Sequence, residues 1–244
     1  MKIIGLIPSI GGIGSTSLAI DLAQNLENTL LIDFNNGFRT IDILINESDI
    51  IYDIYDFYDG LDKDLVISKT ETFDFLPASQ SKDISDFEVS EFRKKIEGLE
   101  YENIIIDLPR NVEYIKEISK ILDFLIISTD MRGVSKRNLE KIIFESFKVN
   151  KKLKLGVFIN KINKFNQEDY KSFKSDLKLA TIIGVVKIKN EFKNFEREEL
   201  ENIIKFINGE DFSLDEKSFN TDKTEGEGSK DAESKSWIQK IFGK

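Results

Sequence analysis

The chain contains no cysteine and no histidine among its 244 residues, and only three prolines and one tryptophan. Without thiols or imidazoles there is no disulfide, no thiol nucleophile, no zinc site of the usual ligand sets and no histidine general base. Any chemistry falls to carboxylates, lysines, hydroxyls and backbone amides. No apolar run approaches the ~20 residues that cross a bilayer as a helix. The opening stretch, MKIIGLIPSIGGIG, has one charged side chain before it becomes a strand and a glycine loop. That is not the pattern of a secretory leader, so a cytoplasmic location is expected. Positive charge is also in short supply: 35 Lys and Arg against 44 Asp and Glu leave a formal net charge of −9. A broadly basic face for nucleic acid is therefore not expected.

What is present is an ordinary globular balance, 40% apolar and 32% charged, arranged as short apolar runs alternating with helix-period segments. KIIGLIP, TLLIDF, FDFLPA, NIIIDLP, DFLIIST, KLGVFIN and ATIIGVV are too uniformly apolar for strands with one wet face. Strands buried on both faces imply a parallel sheet between two helical layers. The expected fold is α/β: a mostly parallel, twisted sheet of about seven strands with helices on both faces, spanning residues 1–208. STSLAIDLAQNLEN, SEFRKKIEGLE and SKRNLEKIIFESFK supply amphipathic helices. Phe73, Phe75, Phe124 and Phe158 are expected in the core. IIYDIYDFYDG (Ile50 to Gly60) alternates tyrosines with aspartates and reads either as an amphipathic helix or as a partner surface. Composition changes after Asn208: residues 209–234 hold nine acidic side chains against three lysines, an acidic linker expected to be disordered. Residues 235–244 (KSWIQKIFGK) close the chain. As a helix they put Trp237, Ile238, Ile241 and Phe242 on one face, with Lys235, Lys240 and Lys244 available to anionic headgroups, a membrane-targeting pattern.

In open parallel sheets ligands bind at the carboxyl ends of the strands, and there the chain places PSIGGIGSTS (Pro8 to Ser17). In a phosphate-binding loop, backbone amides and a helix N-terminus cradle the phosphates, a lysine spans them and a hydroxyl ligates Mg²⁺. Gly11, Gly12 and Gly14 keep the loop's glycines and Thr16 the hydroxyl, but no lysine is present. By itself the pattern reads equally as a glycine-rich turn.

The loop, LLIDFNNGFRTID (Leu30 to Asp42), FLPASQSKD (Phe75 to Asp83), IIIDLP (Ile104 to Pro109), FINK (Phe158 to Lys161) and GVV (Gly184 to Val186) follow one another as in the MinD/ParA family of P-loop ATPases. The chain resembles that family over nearly its whole length, and its MinD branch most. The resemblance implies nucleotide contacts from Gly11, Gly12, Gly14, Ser15, Thr16 and Ser17, adenine recognition by Asn160, and Mg²⁺ held by Thr16, Asp33 and Asp107. It implies a water-activating role for the position of Asn35, beside Asp33, and a G-x-R-x-x-D pattern in Gly37, Arg39 and Asp42, so that Asp33, Asn35 and Asp42 form a degenerate catalytic set. Against the family's KGGxGK[ST][ST], the signature lysine is Ile10 and the loop lysine is Ser15. Asn35 replaces a carboxylate, and Arg110 and Asn111 replace small residues after Asp107.

Phosphoryl transfer is mostly positioning and charge neutralisation, so loss of two cations and a carboxylate implies impaired ATP hydrolysis. ATP or ADP with Mg²⁺ remain the implied cofactors, with Arg39 or Arg110 as displaced charges. Three readings follow. One is a positioning scaffold, peripheral on the inner face of the cell membrane, forming a homodimer or recruiting a partner. Another is an active noncanonical ATPase in which Lys161 replaces the loop cation. The third is a localisation factor of the CpaE/TadZ kind, serving pilus or secretion machinery.

Overall fold

The computed structural model describes residues 1–35, 39–47, 49–80, 82, 87–162, 166–188 and 194–214. The chain divides after Leu214, and residues 215–244 lie outside the described residues, as do Gly37 and Asp83, so the whole of the 235–244 segment does too.

All seven apolar runs form strands: β1 (Lys2–Pro8), β2 (Thr29–Asp33), β4 (Asp74–Leu76), β5 (Asn103–Asp107), β6 (Phe124–Thr129), β7 (Lys154–Ile162) and β8 (Thr181–Lys187). An eighth, the two-residue β3 (Ser68–Lys69), pairs antiparallel with β4 at one edge, so the sheet has eight strands in the order β3-β4-β2-β5-β1-β6-β7-β8. The expectation of about seven strands agrees with this sheet, and β3 is an addition whose two residues carry no periodicity to detect. Every other pairing is parallel.

Alternation across the pleat divides each strand between two cores. Ile3, Ile32, Ile104, Ile127 and Val157 face one core, and Ile4, Leu31, Ile105, Ile126 and Phe158 the other. The first is covered by α3 (Ile54–Asp59), α5 (Val89–Glu97), α6 (Val112–Ile118), α7 (Gly133–Val149) and α8 (Gln167–Asp176), through Ile54, Phe92, Ile115, Leu139 and Tyr170. The second is covered chiefly by α1 (Ser15–Asn25) and α9 (Arg197–Asn208), through Leu18, Leu22, Leu200, Ile203 and Ile207. Phe73, Phe75, Phe124 and Phe158 are all buried. In the tyrosine–aspartate segment Ile54, Tyr55 and Phe57 pack inward, while Ile51 stays 84% exposed. Among the described residues no helix is long and apolar enough to cross a membrane.

Candidate functional site

The site follows from the register. Asp33 ends β2 and Asp107 ends β5 as direct parallel partners, and Leu6 of β1 lies beside Asp107 on the other side. The loop after β1 therefore opens over both acids. Gly14 is the N-cap of α1 in the left-handed region (φ 89°), and Gly12 is also left-handed (φ 72°), conformations that favour glycine. No side chain caps α1 and no acid lies in its first turn. Its first N–H donors and the positive end of its dipole are left to the loop, which suits an anion.

Thr16 Oγ1 donates to Asp107 Oδ2 at 2.8 Å. Asn35 Nδ2 donates to the same oxygen at 2.7 Å and to Asp33 Oδ1 at 2.9 Å, and the Asn35 backbone N–H also reaches Asp33 Oδ1, at 2.8 Å. Asp33 and Asp107 are 0% and 1% exposed. Burial pushes the Asp33 carboxyl up to about 6, against the lowering effect of its hydrogen bonds from Asn35. Burial, then the neighbouring charge of Asp33, pushes Asp107 up to about 7. One hydroxyl and two carboxylates are the hard oxygen donors that Mg²⁺ takes, so Thr16, Asp33 and Asp107 fit that ion in kind. Asp42 sits at the start of α2 (Thr40–Ile45), in an ion pair of 2.8 Å with Arg39. That pairing occupies the guanidinium offered as a displaced phosphate cation. Arg110 is exposed, and Asn111 caps α6 by accepting from the Glu113 and Tyr114 N–H groups.

Ser15, at the loop-lysine position, is 5% exposed and its Oγ has no hydrogen-bond partner among the described residues. Ser17 lies one residue beyond Thr16 in α1 and lines a separate cleft with Asp21 and Gln24. Asn160 is buried and committed to the protein: its Nδ2 donates to the Ile13 carbonyl at 2.8 Å and its Oδ1 accepts from the Lys161 N–H at 2.8 Å. The residue expected to recognise adenine thus braces the loop. Lys161, left-handed at φ 58°, turns its Nζ onto the Gly12 carbonyl. A cleft of about 810 Å³ beside the loop is lined by Ile10, Gly12, Arg132, Lys136, Lys161 and Phe173, among others. Its cations are already engaged: Arg132 by Asp130, Lys136 by Asp176, Lys161 by the loop.

Two braces had no signal in the sequence. Asn138 of α7 donates to the Ser9 carbonyl at 2.8 Å, and Ser9 Oγ donates to Thr129 Oγ1 at 2.8 Å. Both tie the start of the loop to β6 and α7 through residues that no spacing rule joins.

A glycine loop between β1 and α1, acids ending β2 and β5, and this strand order define a MinD/ParA-like α/β fold. The solved MinC:MinD cell division complex of Aquifex aeolicus superposes with a TM-score of 0.65 at 22% identity, covering 88% of this chain and 98% of that one. A plasmid partition protein of Borrelia burgdorferi bound to AMPPNP superposes with a TM-score of 0.66 at 20% identity, covering 85% and 98%. In sequence, the chain is 29% identical over 155 residues to the septum site-determining protein MinD of Escherichia coli K12. That match covers 58% of this chain and only 57% of the E. coli protein. No family model matches the chain.

Proposed function

We propose that the chain is a positioning protein of the MinD/ParA kind in which ATP hydrolysis is impaired and the work is done by scaffolding. The observation that carries this reading is the loop itself: Ser15 stands buried where a phosphate cation is needed, and the Asn35 amide donates to Asp33 and Asp107. An amide cannot accept the proton of an attacking water. The uncapped end of α1 with Thr16, Asp33 and Asp107 retains the parts that hold a nucleotide phosphate and Mg²⁺, so binding and hydrolysis separate. Mg²⁺ bound there would neutralise phosphate charge, and the chain's own part is to present the amides and oxygen ligands. The Aquifex MinD occurs with MinC. By analogy this chain recruits a partner protein at a division site or cell pole, anchored through Trp237, Ile238, Lys240, Ile241 and Phe242 of its terminal segment.

Purified protein should turn over Mg·ATP no faster than the uncatalysed background. The combined change Ile10→Lys, Ser15→Lys, Asn35→Asp should bring hydrolysis back. Turnover in the parent that disappears in Asp33→Ala would refute the reading.

One observation favours a second reading. Lys161 Nζ already reaches the loop at the Gly12 carbonyl and is one side-chain movement from an anion there. As a noncanonical ATPase, the chain would hydrolyse ATP and lose that activity in Lys161→Gln.

A further inference from the structure

Asn35 does more than lack a carboxylate. Its Nδ2 spans Asp33 Oδ1 and Asp107 Oδ2, two buried acids that end adjacent parallel strands, and Thr16 donates to the same Asp107 oxygen. When both acids are ionised their oxygens only accept, and the amide can serve them only through its NH₂ end. The backbone N–H of Asn35 on Asp33 Oδ1 anchors the base of the same side chain. Asp33 Oδ2 is buried without a hydrogen-bond partner among the described residues, an oxygen left over for a ligand. A divalent cation bound by Thr16, Asp33 and Asp107 needs oxygen lone pairs at roughly 2.1 Å, and the Asn35 amide draws on those of Asp33 Oδ1 and Asp107 Oδ2, where Thr16 also donates.

We propose that Asn35 is a latch on the divalent-cation site: its amide nitrogen bridges the two carboxylates, and a cation that draws on both of them competes with it. An aspartate at this position could not bridge two carboxylates. It would add a third negative charge and leave the metal-free site dependent on a cation. The substitution thus makes the metal-free chain self-sufficient and weakens the cation site. The inference rests on reading Thr16, Asp33 and Asp107 as cation ligands, and the experiment separates the two claims.

Mn²⁺ alone, titrated into the full-length chain without nucleotide and followed by the loss of its free electron paramagnetic resonance signal, should bind the parent weakly. Asn35→Ala should bind about tenfold more tightly and Asn35→Asp more tightly still, since a charged hydrogen-bonded bridge is removed in the first and a ligand added in the second. In chelator Asn35→Asp should melt below the parent and recover with Mg²⁺. Parent affinity equal to or above that of Asn35→Ala overturns the latch and leaves the site standing. Absence of Mn²⁺ binding in all three proteins overturns the cation site itself. Should the variants fold poorly, the parent suffices: the Asn35 side-chain amide resonances in a ¹⁵N spectrum should shift and lose solvent protection as Mg²⁺ saturates. Unchanged resonances at saturation overturn the proposal.

Discussion

Asp33 and Asp107 are the residues whose chemistry is most altered by their surroundings. Burial raises their carboxyl groups to about 6 and about 7 from 3.8. Between the ordinary and the raised values the folded chain holds protons that the unfolded chain has released, so stability falls as pH rises through that interval. Below it both states are protonated and the effect vanishes. The metal-free chain should therefore lose stability from about pH 4 to about pH 7, from these two groups on the order of several kcal/mol, and change little above that. Asp107→Asn keeps the shape and still accepts from Thr16 and Asn35 without the buried charge. In chelator it should melt above the parent at pH 8 and show a shallower fall with pH. A variant that falls more steeply than the parent contradicts this account. The glycines of the loop and the acids at the strand ends could be placed from sequence. The donation from Asn35 and the bracing role of Asn160 could not, because each depends on a side chain reaching another segment, the end of β5 for Asn35 and the glycine loop for Asn160.

Among the elements, β8 shows how tightly the sheet is closed on its α9 side. A Cβ on Gly184 would come within 2.7 and 2.8 Å of the Phe158 ring, which is fully buried on β7 and packs edge-on against Phe195 at 5.3 Å. Phe195 in turn has its N–H on Asp21 of α1 at 2.7 Å, so the ring cannot retreat without disturbing the helix that carries the loop. Gly184→Ala should cost about 1–3 kcal/mol by overpacking. Urea denaturation should show a lower midpoint with an unchanged m-value. A midpoint matching the parent's would mean that Phe158 repacks freely. The helices α1, α5 and α7 and the seven strands other than β3 were legible because each lies in an apolar or periodic run longer than two residues. Strand β3 pairs with β4 where the Lys69 and Tyr101 side chains converge on Asp74, and its two residues carry no local pattern.

At the scale of the molecule, Ile10 lines the cleft beside the loop where the family resemblance expects a lysine that reaches a partner's nucleotide. An isoleucine makes no such charged contact, so any self-association should be uncoupled from ATP. Sedimentation velocity without nucleotide, with ADP and with ATP should give the same distribution, and a dimer formed only in ATP would refute this. Membrane attachment is expected to reside in the terminal segment. Four apolar side chains at ~1.5–3 kcal/mol each when fully buried, reduced by partial insertion and helix ordering, give weak and reversible binding per chain. Anionic liposomes should pellet the intact protein and release it on removal of Trp237 to Lys244 or on Ile241→Glu. Equal pelleting of intact and truncated chains would place the anchor elsewhere.

Sequence alone determined the layered α/β plan, since strands apolar on both faces have no stable place except between two layers of helix. It also set the position of the loop, because three closely spaced glycines between a strand and a helix permit a backbone that other residues resist. Only the tertiary structure decided what the site's polar groups face. Asp33 and Asp107 become a raised, buried pair through strand register, and Lys161 meets the loop at a residue 149 positions away. Asn35 ends up bridging two acids, one of them 72 residues away. Hydrogen bonds act over about 3 Å of space whatever the separation in sequence, so the partners of these groups were set by the fold and not by any neighbouring pattern.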